Sequence, residues 1–169
     1  MFLSCLRRKD KSQQLYAGAG CLFTNGVHTL AGYQPHKCTP TISGFGGKKE
    51  PEETDPFQTA VRETLEELFG LDKEVIKAIQ FPLKPKRIIQ NGSYHVYVFS
   101  FADLEQMLYT LQEAGVTSPY YLYLPNTIAD LIFHRRVDSD AEIGCLCLLP
   151  AESRNISKEF LEDMKRVLI

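Results

Sequence analysis

The stretch Arg62-Glu63-Thr64-Leu65-Glu66-Glu67 sets three carboxylates at i, i+3 and i+4, positions that become neighbours once the chain is helical. At about 100° per residue, Glu63, Glu66 and Glu67 share one narrow arc. Phe57, Ala60, Val61, Leu65 and Leu68 cluster nearly opposite, with Thr64 among them. Carboxylates this close repel one another unless a positive charge lies between them. A hard divalent cation such as magnesium supplies that charge and prefers oxygen ligands. On these residues alone a solvated acidic face is the competing explanation.

Upstream lies Ser43-Gly44-Phe45-Gly46-Gly47, followed at once by Lys48 and Lys49. A glycine-rich loop lets backbone N–H groups approach a phosphate closely, and Gly46, Gly47, Lys48 and Lys49 are the candidate phosphate-binding residues. A phosphate loop of the nucleoside-triphosphatase kind is excluded, because no Gly-Lys-Ser/Thr ending follows.

The two features stand in a defined spacing. Five residues separate Gly47 from Glu53; the Arg62–Glu67 core follows, and then Gly70-Leu71. This pattern resembles the signature of the Nudix (MutT-like) hydrolases over about 25 residues, and the stretch Leu15–Tyr33 resembles that family's opening hairpin. Three departures are visible. Eight residues instead of seven lie between Glu53 and Arg62, Gly70 comes one residue late, and Thr64 stands where an aliphatic residue is usual. The core from Arg62 to Glu67 is undisturbed, whereas the role of Glu53 is loosened, since Glu50 or Glu52 could take its place.

The resemblance implies an α/β fold of the Nudix type, an α/β/α sandwich with a mixed sheet between helices. It implies hydrolysis of a phosphate–phosphate bond, dependent on Mg2+ or Mn2+, in a nucleoside triphosphate or a nucleoside diphosphate-linked compound. Glu63, Glu66, Glu67 and Glu53 are the implied metal ligands, with Arg62 orienting the carboxylates. The general base is either Glu63 or a late-loop carboxylate, with Glu142 preferred over Asp138 and Asp140. Lys84, Lys86 and Arg87, with His134, Arg135 and Arg136, form two basic clusters that would suit capped RNA or a diphosphoinositol polyphosphate, substrates of other branches of the family. A Nudix-fold binding module without catalysis is the reading from another class, and the complete carboxylate set argues against it.

These residues need elements to hold them. Thr24-Asn25-Gly26 predicts a hairpin between two strands. Residues 39–42 and 74–81 look strand-like. Thr54-Asp55-Pro56 predicts a helix start and Gly70 its stop near residue 69. Asn91-Gly92 predicts a turn into the strand Tyr94–Phe99. Helices are expected over 103–114, over a short stretch capped by Asn126 and ending at Phe133, and over 157–168. Gly144–Leu149 reads as a strand. Strands alternating with helices give one α/β or α+β domain over residues 15–169, preceded by a loose tail over 1–14.

The formal net charge of −2 argues against a broad nucleic-acid-binding face. No apolar run approaches the roughly 18 residues of a membrane span. The five cysteines include no C-x-x-C pair and read as buried free thiols of a reducing compartment. Chance rather than lipidation explains Cys5. A cytoplasmic protein, present also in the nucleus if at all elsewhere, acting on a phosphorylated small molecule, is the consistent expectation.

Overall fold

The computed structural model describes residues 16–168; the expected N-terminal tail and Cys5 lie outside them. Seven strands form one mixed sheet. Strand β1 (Gly18–Thr24) turns at Asn25-Gly26 into β2 (His28–Gln34), as the hairpin signal predicts. The two strands pair only beside the turn, at Thr24 and Thr29, and then diverge. The following segment fills the fork. Its first half, β3 (Thr41–Ser43), pairs antiparallel with β2; its second half, β4 (Phe45–Lys48), pairs antiparallel with β1. Gly44 is the residue at which the segment passes from one partner to the other.

Beyond β1 the sheet continues through β6 (Tyr94–Ser100), the parallel neighbour of β1, to β5 (Arg87–Asn91). On the opposite side β7 (Cys145–Pro150) pairs antiparallel with β2. Helix α1 (Pro56–Phe69) connects β4 to the short α2 (Lys73–Lys77). Helix α3 (Phe101–Glu113) follows β6, α4 (Ile128–Phe133) precedes β7, and α5 (Lys158–Val167) ends the described chain.

Side chains alternate along a strand, so each central strand feeds two cores. Ala19, Cys21 and Phe23 of β1, Leu30 of β2, and Tyr97 and Phe99 of β6 point to one side. They meet Ala60, Leu65 and Leu68 of α1, Leu104, Met107, Leu108 and Leu111 of α3, and Leu131 of α4. Leu22, Ala31, Val96 and Val98 point to the other, against Phe160 and Met164 of α5. Helices therefore cover both faces of a mixed sheet, which is the α/β/α sandwich expected from the sequence.

Several local expectations need correction. Residues 74–81 contain no strand. Lys73–Lys77 is helical, with Glu74 in its first turn and Lys77 in its last, charges that suit the helix dipole, and only Ile76 is buried. The glycine stretch is a strand for most of its length rather than a loop. Ser100 begins α3 earlier than expected through a capping box with Asp103, and Thr127, not Asn126, caps α4. Among the described cysteines only Cys21 is buried; Cys38 and Cys145 are exposed and Cys147 is half-buried.

Candidate active site

Helix α1 begins and ends where local chemistry dictates. The Asp55 carboxylate accepts the Phe57 amide at 2.9 Å, and Pro56 occupies the first turn. Gly70 closes the helix at φ 62°, a left-handed conformation that a side chain disfavours, with its N–H on the Glu66 carbonyl. The C-terminal end is also bound by a residue far along the chain. Arg135 donates to the carbonyls of Leu68 (2.6 Å), Glu67 (3.0 Å) and Ile143 (3.0 Å), with its guanidinium 4.5 Å over the Tyr120 ring. A cation on those carbonyls offsets the dipole at the helix end. Arg135 thus leaves the basic cluster in which the sequence placed it, and nothing in the sequence signals this, since its acceptors are main-chain groups.

Arg62 is buried, 6% exposed, and its guanidinium organises the carboxylates around it. Its Nε donates to Glu53 Oε1 at 2.7 Å and its Nη1 to Glu66 Oε2 at 2.8 Å. Nη2 lies 2.9 Å from Glu63 Oε1 and donates to the Lys48 carbonyl at 3.0 Å. Glu53 was expected among the metal ligands; its contacts are instead internal. Besides Arg62 it accepts the Thr59 hydroxyl (2.7 Å) and the Glu50 amide (2.8 Å). Burial works to raise its pKa, but the Arg62, Glu50 and Thr59 hydrogen bonds outweigh burial and hold it at about 2. Those bonds hold Glu53 against Arg62: Oε2 is engaged within the protein by three donors, and Oε1 accepts Arg62 Nε. Thr54 and Asp55 lead from Glu53 into α1, whose second turn brings Arg62 back to this contact.

The remaining carboxylates face the sheet. A Cβ on Gly47 would overlap the Glu63 carboxylate, so a glycine here is what lets that group lie against β4. Glu67, 6% exposed, accepts the Gly46 amide at 2.9 Å. That amide is engaged within the protein by the Glu67 carboxylate. Lys48 contributes its carbonyl to Arg62, and the Lys49 ammonium sits 5.3 Å above the Tyr16 ring.

Burial pushes the Glu67 pKa up to about 8; the Gly46 amide opposes this, while Glu142 and Glu63 add to it. Burial also raises Glu63 and Glu66 despite the Arg62 charge. Glu142, on the loop before β7, is half-exposed and paired with Lys37 at 3.3 Å, and its charge is felt at both Glu67 and Glu63. The structure thus brings Glu63, Glu67 and Glu142 into one electrostatic neighbourhood. Asp138 accepts the Asp140 amide at 2.8 Å and belongs to its own loop's turn.

Among the described residues no three Asp, Glu, His or Cys side chains converge as ligands on one point. The donor chemistry nevertheless fits a hard cation. Glu67 has one internal donor and like-charged neighbours, an arrangement that an added positive charge relieves. Two residues that the sequence did not single out belong to this neighbourhood. Lys37 is a nearby cation for Glu67 and Glu142. The Tyr94 phenol is raised by burial and by the charges of Glu67 and Glu63. An isolated lysine and a strand tyrosine carry no spacing signal that would have revealed them.

A cavity of about 640 Å³ opens beside these groups, on the α5 face of the forked sheet. Leu22, Val96 and Phe160 form its apolar side, and Lys37, Gly46 and Tyr94 are shared with the carboxylate region.

No family model matches the chain, and no curated protein sequence is similar to it. Solved structures similar to it include a Nudix-family hydrolase from Clostridium perfringens, 14% identical, covering 90% of this chain and 95% of that one at a TM-score of 0.42. A Nudix hydrolase from M. smegmatis is 16% identical over 89% of this chain and 82% of its own, at 0.44. An Ap4A hydrolase from C. elegans is 12% identical over 89% and 91%, at 0.43. No helix among the described residues is long and apolar enough to cross a membrane.

Proposed function

We propose that this chain is a Nudix-type hydrolase that uses a divalent cation to cleave a phosphate–phosphate bond in a nucleoside triphosphate or a nucleoside diphosphate-linked compound. The observation that carries this reading is the buried Arg62, which ties Glu53, Glu63 and Glu66 together while Glu67 stands buried beside it with a single donor.

Glu63, Glu66 and Glu67 are the residues that would hold Mg2+ or Mn2+. The cation, when bound, neutralises the diphosphate and lowers the pKa of a bound water toward neutrality. Arg62 keeps Glu63 and Glu66 oriented through charge-assisted bonds, and Glu53 keeps Arg62 in place. Glu142 is the proposed general base, accepting a proton from the attacking water. Its exposure leaves it accessible to solvent even beside Lys37, whereas Glu63 is largely buried against Arg62. Lys37 and the exposed Lys48 supply positive charge for the phosphates.

The test is hydrolysis with magnesium of a panel of nucleoside triphosphates, a sugar-linked nucleoside diphosphate and a dinucleoside polyphosphate. Turnover of at least one member is expected, and Glu67→Gln is expected to lower it by a factor of about 100 or more, while Glu142→Gln costs about 100-fold or more as a lost base. Parental turnover in the Glu67→Gln protein would overturn the metal assignment. Inertness of the wild-type chain toward the whole panel would overturn the reaction.

A further inference from the structure

The mechanism above leaves the buried carboxylate of Asp163 without a task. Asp163 of α5 is 6% exposed and lines the cavity. Its Oδ1 accepts Asn91 Nδ2 at 2.8 Å, and Asn91 Oδ1 in turn accepts Arg166 Nη1 at 2.7 Å. The arginine has only donors, so the Asn91 amide cannot turn over; its NH2 must face Asp163. The chain Arg166–Asn91–Asp163 therefore holds the carboxylate in one orientation. Among the described residues, no protein group donates to Asp163 Oδ2.

Asn91 satisfies Oδ1, and Oδ2 is free to accept a further donor. What the cavity supplies around Asp163 defines that donor. Leu22 and Val96 of the sheet and Phe160 of α5 offer apolar surface to a flat ring. Glu159 and Glu162 lie on the same wall as Asp163, so this end repels phosphate. Lys37 and Gly46, at the carboxylate helix, mark the end where phosphate belongs. The volume of about 640 Å³ accommodates a nucleoside.

We propose that this cavity binds the base of a guanine nucleotide, with Asp163 accepting the adjacent ring N–H and amino N–H of the guanine edge. A carboxylate accepts two parallel N–H donors in the geometry that an amidine-like edge presents. Adenine and cytosine place an amino donor beside a ring nitrogen that is itself an acceptor, and that acceptor would face the carboxylate. Uracil offers one ring N–H flanked by two carbonyls. Guanine alone among the common bases presents two adjacent donors. Asn91 and Arg166 are positioning residues, since they reach the ligand only through Asp163.

The inference rests on the reading of the carboxylate helix as the phosphate end, but its test needs no turnover. Binding of GMP, IMP, AMP, CMP and UMP to the full chain is measured by calorimetry without added metal. IMP differs from GMP only in lacking the amino group. GMP is expected to bind about tenfold or more tightly than IMP and than each of the other nucleotides. Asp163→Asn is expected to remove that preference while leaving the melting transition, followed by circular dichroism, cooperative.

Equal binding of GMP and IMP in the wild-type chain, a preference for another base, or no binding of any nucleotide at millimolar concentration overturns the proposal, whether or not the variant folds. A GMP preference that survives in a folded Asp163→Asn protein overturns it as well. Guanine preference without hydrolysis of any anhydride would sink the proposed reaction and keep the base site. Hydrolysis with no base preference would do the reverse.

Discussion

Replacing Glu53 by glutamine separates the support of Arg62 from the chemistry of the other glutamates. The Glu53 side chain is 11% exposed, so solvent screens its interactions little. Its pKa stands at about 2 against an ordinary 4.5. A carboxylate depressed in the folded state stabilises the fold above its unfolded pKa and loses that contribution as pH falls through the folded value. The depression corresponds to at most about 3 kcal/mol near pH 7, falling to about 1.4 kcal/mol near pH 3 and to almost nothing near pH 1. Glu53→Gln keeps the volume and the Thr59 contact but removes the charge that faces Arg62. The assay is urea unfolding, followed by circular dichroism, of both proteins between about pH 7 and pH 3. The wild-type advantage is expected to be about 2–3 kcal/mol at neutral pH and to shrink toward the acid end. A constant difference across that range would show that the ion pair does not produce it. No difference at neutral pH would refute the account of Glu53 as the anchor of Arg62.

Two further outcomes follow from the same helix. The Thr64 hydroxyl is fully buried with no hydrogen-bond partner, so Thr64→Val is expected to raise stability by about 1 kcal/mol, read from the urea midpoint; a loss would mean that the hydroxyl has a partner. Glu67 is raised to about 8, which penalises the folded state as pH climbs from its unfolded value through about 8. In chelator near pH 8, Glu67→Gln is therefore expected to unfold at higher denaturant than wild type even though its turnover is expected to fall, and a lower midpoint would contradict the burial argument.

The carboxylate helix was legible because its signals are local. Asp55-Pro56 and Gly70 mark its ends, and the 3.6-residue period separates Ala60, Leu65 and Leu68 from the glutamates. The hairpins at Asn25-Gly26 and Asn91-Gly92 were legible for the same reason. What escaped depends on partners distant in the chain. Phe45-Gly46-Gly47-Lys48 reads as a loop by composition, yet it pairs through main-chain groups with Gly18–Cys21, a partnership that carries no local signal. Val75-Ile76 suggests a strand, but only Ile76 is buried and the end charges favour a helix turn. Helical spacing put Glu63, Glu66 and Glu67 together, but it carried no information that Arg62 and Glu67 are both buried. Asp163 was equally invisible, since its position depends on Asn91 from a hairpin 72 residues away.

The fork between β1 and β2 has a consequence for how such a chain can change. The cleft beside the carboxylate helix arises because two hairpin-connected strands part after a single pair and another segment is wedged between them. Its existence is thus a property of strand pairing, while its character belongs to side chains such as Glu159 and Glu162 that line it without holding the strands in register. Those positions are open to drift: a lineage can exchange one ligand for another by point substitutions in the lining, with the carboxylate helix and the sheet inherited unaltered.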